Sequence, residues 1–209
     1  MKKIGEGYYY NVYKLNSNQV LKVIKNKLQI FLFIFFANKG NYKNSLLEYK
    51  NVIKGIPKLQ EEYSKVINLV TYRETLGNPI FINEIEYKQD LIKDLRNINS
   101  LQKQEFIKVV YDYVSLLKQL WSFGISDSVF NFSINCGYNK NNKLILIDFN
   151  EIAFNKDEVT EQVKNQVWLK RASYLKLTKE KQIIFEELMK KEVTIEGLNK
   201  NWLSRERSK

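Results

Sequence analysis

Two glycines, a valine and a lysine near the start of the chain have the types and spacing suited to holding phosphate. Ile4-Gly5-Glu6-Gly7-Tyr8-Tyr9-Tyr10-Asn11-Val12 reads G-x-G-x-x-x-x-V, and Val20-Leu21-Lys22-Val23 follows after one turn. Glycines in a hairpin turn let backbone approach phosphate oxygens that a side chain would strike, and a lysine on the following strand adds positive charge. Far downstream, Leu144-Ile145-Leu146-Ile147-Asp148-Phe149-Asn150 reads as an apolar strand ending on an acid. A plain hairpin and an outward-facing lysine on an alternating strand explain each piece singly. The phosphate reading rests on their combination.

Several elements must position these residues. Residues 2–26 predict three short strands, with the glycine turn joining the first two and Asn16-Ser17-Asn18 turning into the third. Leu28 to Ala37 is an apolar run well short of the roughly 20 residues of a membrane span. It predicts a buried strand or core helix in preference to an exposed hydrophobic surface. Asn38 to Tyr42 is a break, and Ser45-Leu46-Leu47-Glu48 opens a helix. Asn68 to Thr75 and Pro79 to Tyr87 predict two strands of a hairpin about Leu76-Gly77-Asn78.

Ser100 to Ser122 is the clearest helix. Phe106, Val109, Val110, Tyr113, Leu116, Leu117, Leu120 and Trp121 form one apolar stripe, and Asn99 with Gln102 suggests the cap. Phe132 to Cys136 and Lys143 to Ile147 predict strands around a turn at Asn139 to Asn142. Val159 to Leu175 and Thr178 to Lys191 predict two closing helices, and Ser204 to Lys209 a fraying end.

A chain of 209 residues without a low-complexity linker or repeat fits one domain with two lobes, the boundary falling near Glu86 to Asp94. Histidine is absent and Cys136 is the single cysteine, which excludes imidazole acid–base chemistry, His-ligated zinc and an intrachain disulfide. The start of the chain lacks a signal-peptide pattern, so a cytoplasmic protein is expected. The formal net charge of +11 attracts phosphate-rich ligands, but the basic residues are scattered, and a nucleic-acid partner is disfavoured.

Together the motifs resemble the nucleotide-handling parts of protein kinases, and the resemblance implies roles residue by residue. Gly5, Gly7 and Val12 correspond to the glycine-rich loop over the ATP phosphates. Lys22 corresponds to the lysine that holds the α- and β-phosphates, paired with a helix glutamate, here Glu48. Ser45-x-x-Glu48 also fits a capping box, in which the carboxylate only satisfies a backbone N–H. Asp148-Phe149-Asn150 stands where kinases carry the magnesium-binding Asp-Phe-Gly, and Asn131, 17 residues earlier, would hold a second Mg2+. The catalytic aspartate belongs five residues before that asparagine, where this chain has Ser126. Asp127 follows it and can act as base only in a loop one residue shorter.

More narrowly, the chain is similar to the YrbL family, the small PhoP regulatory network proteins of bacteria. The likeness lies in its length, in Glu48-Tyr49-Lys50 and Gly55-Ile56-Pro57, in Ile125 to Asn131 leading to Asp148, and in Trp168-Leu169-Lys170-Arg171. It implies an α+β, two-lobed protein-kinase-like fold that is compact, with a reduced C-lobe: one domain over 1–209, N-lobe about 1–88 and C-lobe about 89–209. The implied ligands are ATP and Mg2+, with a protein or small-molecule hydroxyl as phosphate acceptor. Ser126 at the base position leaves open a pseudokinase that acts as a regulatory binding module.

Overall fold

A computed structural model describes residues 1–7, 9–67, 70–83, 86–95, 97–148 and 151–203, with backbone alone at 58–60, 62–63, 66–67 and 70–72. Phe149, Asn150 and the terminal 204–209 segment lie outside the described residues. The chain forms a mixed α+β structure and divides into two units, Met1–Arg73 with Gly77–Leu91 and Glu74–Leu76 with Ile92–Lys209.

In the first unit, β1 (Lys2–Glu6), β2 (Tyr10–Lys14) and β3 (Gln19–Ile24) form an antiparallel meander. Asn16 makes the second turn by accepting the Asn18 N–H at 2.8 Å, the local bond that favours Asn in turns. Strands β4 (Ile80–Phe81) and β5 (Tyr87–Asp90) complete the sheet in the order β1-β2-β3-β5-β4. The hairpin predicted about Gly77 is therefore displaced. Val70–Leu76 is a 3-10 helix, and the reversal falls between β4 and β5.

The apolar run is a helix, α1 (Lys27–Ala37), capped reciprocally: Asn26 Oδ1 accepts the Gln29 N–H at 2.9 Å and Gln29 Oε1 accepts the Asn26 N–H at 3.0 Å. Its period splits the run, burying Ile30 and Ile34 and exposing Leu28, Leu32 and Phe36. A fully buried element is thus only half realised.

Helix α2 (Tyr42–Ile67) begins earlier than Ser45 and continues through Gly55-Ile56-Pro57. A Cβ at position 55 would come within 2.7 Å of the Tyr9 hydroxyl, so a larger residue there would have to displace the end of the Tyr9 side chain.

The second unit is organised around α3 (Lys103–Trp121), which buries every residue of the predicted stripe and Val114 as well. Its cap is Gln102, whose N–H donates to Glu105 Oε2 at 3.0 Å. Asn99 instead ties chain segments together, donating to the Lys176 carbonyl at 2.8 Å and accepting the Thr178 N–H at 3.1 Å.

Two small sheets flank α3. One has the order β6 (Lys93–Asp94), β8 (Cys136–Tyr138), β9 (Leu144–Leu146); the other pairs β7 (Ser126–Asp127) with β10 (Ile152–Ala153). Phe132–Asn135, expected as strand, is one helical turn, α4, because the Asn131 carbonyl accepts the Ile134 and Asn135 N–H groups.

The helix expected over Val159 to Leu175 is interrupted. Helix α5 (Lys156–Lys164) stops before Gln166, which adopts left-handed torsions at φ 46°. A 3-10 turn (Val167–Lys170) and the short α6 (Ala172–Leu175) follow, then α7 (Lys179–Glu192) and α8 (Ile195–Asn201). Phe185 stacks on Phe132 with centroids 4.7 Å apart, which fixes α7 onto α4. Among the described residues no helix is long and apolar enough to cross a membrane.

Lys181 is 6% exposed, and its ammonium donates to the Asn99 carbonyl at 2.6 Å and the Leu101 carbonyl at 2.8 Å. Lys181→Met keeps the aliphatic stem and strands both carbonyls. Urea denaturation should show a loss of about 1–3 kcal/mol; an unchanged midpoint would mean that water replaces the ammonium.

Candidate functional site

In the first unit the strand register lines up three of the predicted residues. Gly5 pairs with Val12, Val12 with Lys22, and Lys22 with Tyr87. Directly opposed residues share a face of the sheet. Lys22 is only 9% exposed, and its Nζ lies 5.2 Å from the centroid of the Tyr87 ring. It shares the inner face with Val20, so it is not the solvent-facing lysine that alternation alone would allow.

Gly7 closes the turn by donating its N–H to the Tyr10 carbonyl at 2.9 Å. A Cβ at Gly5 would sit 3.9 Å from Val12 Cβ, an ordinary contact, and a Cβ at Gly7 would meet nothing within 4 Å. Positive φ among the described glycines is confined to Gly40, Gly77 and Gly124. Among the described residues, neither packing nor backbone torsion therefore demands glycine at 5 or 7.

The residue between the two glycines is anchored in a way the sequence reading missed. Glu6 Oε2 lies 2.9 Å from both Lys3 Nζ and Lys25 Nζ. Lys25 is 4% exposed, and its ammonium stands 3.7 Å over the Phe33 ring. Its contact with Glu6 is an ion pair without hydrogen-bond alignment. Lys25 and then Lys3 hold the Glu6 carboxyl below its ordinary value, while burial lowers that of Lys25.

Glu48 lies one turn into α2 from Ser45. Ser45 is itself inside the helix and donates to the Asn41 carbonyl at 2.6 Å, while Asn41 Oδ1 accepts the Asn44 N–H. The capping-box alternative for Glu48 is thereby removed. The Glu48 carboxylate accepts from Asn38 Nδ2 at 2.7 Å, and among the described residues no ion pair links it to Lys22.

In the second unit, Asp127 has no exposed surface. Its Oδ1 accepts the Val129 and Phe130 N–H groups, both at 3.1 Å, and its Oδ2 accepts the Tyr113 hydroxyl at 2.9 Å. These bonds hold Phe130 at φ 53°, left-handed backbone that a bulky residue adopts at a cost of order 1–3 kcal/mol. The buried Phe130 ring packs on Trp168 with centroids 5.5 Å apart. Ser126 is equally buried and accepts from Trp121 Nε1 at 3.1 Å.

Asn131 follows directly, and its Oδ1 accepts both the Ser173 N–H at 3.0 Å and the Ser173 hydroxyl at 2.7 Å. Two donors fill the usual acceptor capacity of an amide oxygen. Asp148 is half-buried two residues beyond β9, where the Ile147 N–H donates to the Asn135 carbonyl at 2.8 Å.

Asn135 and Glu151 are the functional candidates that sequence reasoning missed. Asn135 Nδ2 donates to Glu151 Oε2, and the same amide supports the Asp127 carboxylate. Antiparallel pairing of β7 with β10 sets Asp127 opposite Ile152, next to Glu151. The only signals in the sequence were an asparagine within the expected strand Phe132 to Cys136 and a second acid three residues after Asp148.

Burial raises the Asp127 carboxyl to about 6, against the stabilising bonds from Tyr113, Val129 and Phe130. Burial followed by the charge of Asp148 raises Glu151 to about 7, with Asn135 and Arg171 pulling the other way. Carboxylates that repel one another and are short of water suit a divalent cation that also binds phosphate oxygens. Among the described residues no group of three or more acidic, His or Cys side chains forms a metal cage of its own.

No family model matches the chain, and no curated protein shows significant sequence similarity to it.

Both raised carboxyls stay protonated in the folded state at a pH where the unfolded chain has released the proton. Their stabilising contribution is complete below about pH 4 and lost as pH rises through about 6 to 7. In Asp127→Asn the amide oxygen still accepts the two N–H groups and the amide nitrogen can donate to the Tyr113 oxygen. Between about pH 5 and pH 8 the wild type should lose up to about 1.4 kcal/mol more than this variant in chemical denaturation. Parallel pH profiles would show that Asp127 stays ionised when buried.

Proposed function

We infer that this chain is a kinase-like ATP-binding protein with the capacity for Mg2+-dependent phosphoryl transfer to a protein or small-molecule hydroxyl. The carrying observation is the row Gly5–Val12–Lys22, in which a buried lysine lines up with a turn whose glycines are not demanded by packing among the described residues. Space at Gly5 and Gly7 suits phosphate oxygens approaching the backbone, and Lys22 is the charge that would meet them. Within the second unit, Asp148 would hold a magnesium ion, with Glu151 and Asn135 as its supporting neighbours. A kinase-like fold and the likeness to the YrbL family belong to this same reading, which the order β1-β2-β3, long α3, β8-β9, Asp148 supports.

One observation favours a second reading, a catalytically impaired regulatory module. Asp127 has no exposed surface and its carboxylate is committed to Tyr113, Val129 and Phe130, whereas a general base must reach the substrate hydroxyl. Asn131 is similarly occupied by Ser173.

Thermal denaturation with Mg2+–ATP tests the shared claim, since a ligand specific for the folded state raises the melting temperature. Wild type should be stabilised and Lys22→Met should not. Absence of any shift for wild type at millimolar ATP would remove the nucleotide reading altogether. Transfer of label from ATP, abolished in Asp148→Ala, would establish the enzyme; binding without transfer would establish the regulatory module.

A further inference from the structure

We propose that α1 is an in-plane anchor that seats the first unit on an anionic lipid surface. The helix Lys-Leu-Gln-Ile-Phe-Leu-Phe-Ile-Phe-Phe-Ala is apolar all round, a composition normally found where a helix is covered on every side. The protein covers one side only. Ile30 and Ile34 are 0% exposed, while Leu28, Leu32 and Phe36, spaced four apart on the opposite face, are 65%, 42% and 73% exposed. Ile4 on β1 and Tyr42 and Leu47 on α2 add exposed apolar surface in the same unit.

Charge selects the occupant. Over residues 1–54 the sequence has ten lysines and two acids, Glu6 and Glu48. Glu6 is taken up by Lys3 and Lys25, and Glu48 by Asn38. Lys27 opens α1, Lys39 follows its C-cap, Lys43 lies in the first turn of α2, and all three are exposed. Lys3 lines the groove that Leu32, Phe33 and Phe36 border. An apolar stripe rimmed by ammonium groups matches acyl chains beneath anionic headgroups, where the lysine stems reach outward and the rings enter the boundary layer. A second copy of the chain would bring like charge against like, and the phosphates of a nucleic acid have no use for the apolar stripe. At 11 residues the helix lies in the interface and does not span it.

The proposal stands apart from the nucleotide reading, and its test uses the full chain. Co-sedimentation is measured with vesicles of phosphatidylcholine and with vesicles carrying about 30% phosphatidylglycerol. Wild type should bind the anionic vesicles, bind neutral ones at least about tenfold more weakly, and release with added salt. Leu32→Glu with Phe36→Glu, and separately Lys27→Glu with Lys39→Glu, should each reduce binding by at least about tenfold, with circular dichroism unchanged. If the double apolar variant does not fold, Phe36→Glu alone carries the test.

No binding of wild type to anionic vesicles would overturn the proposal. So would undiminished binding by the apolar variants, which would reduce the effect to net charge. Concentration-dependent dimerisation in light scattering that is lost in Phe36→Glu would assign the stripe to a second copy instead.

Discussion

The Asp127 carboxylate, without contact with solvent, holds together the part of the second unit where the candidate chemistry lies. Two backbone N–H groups and the Tyr113 hydroxyl close around it, turning the chain sharply enough to put Phe130 into left-handed torsions against Trp168. That turn delivers Asn131 to Ser173 and starts the helical turn that ends at Asn135. Asn135 then meets Glu151, and its carbonyl holds the strand that leads to Asp148. One buried acid therefore positions four polar residues drawn from separate stretches of chain. The energetic tension is visible in its raised proton affinity: desolvation outweighs the bonds that favour the charged form.

The first unit manages buried charge by different means. Lys25 is held between Glu6 and the face of Phe33, and Lys22 stands over Tyr87. In each case an aromatic ring supplies part of the electrostatic partner that water would otherwise provide. The Lys25–Glu6 pair also tethers the glycine turn to the start of α1, so the conformation of the turn depends on that helix. The apolar character of α1 has two consequences of opposite kind. Its inner isoleucines secure the helix, and its outer face keeps hydrophobic surface in contact with solvent.

Much of this was legible from residue order. The meander, the α3 stripe, the turn at Asn139 to Asn142 and β9 follow from local periodicity and turn chemistry, which act within a few residues. The errors arose where local preference met competing partners. Asn99 has the chemistry of a cap, yet it bonds Lys176 and Thr178, far along the chain. Ser45 and Glu48 fit a capping box, yet Asn41 starts the helix one turn earlier. Phe132 to Asn135 has the apolar content of a strand, but the Asn131 carbonyl draws it into a helical turn.

By itself the sequence determined the charge, the lack of imidazole chemistry, the glycine–valine–lysine spacing and the acid after β9. These are properties of residue type and of separations along one or two adjacent elements. Tertiary structure alone decided which side chains are removed from water and what they meet there. Asp127 and Asp148 are both acids near short strands in the sequence; in the fold one is a buried acceptor of three hydrogen bonds and the other is half-buried beside Glu151. Desolvation depends on atoms brought in from distant parts of the chain, so no local pattern can distinguish the two.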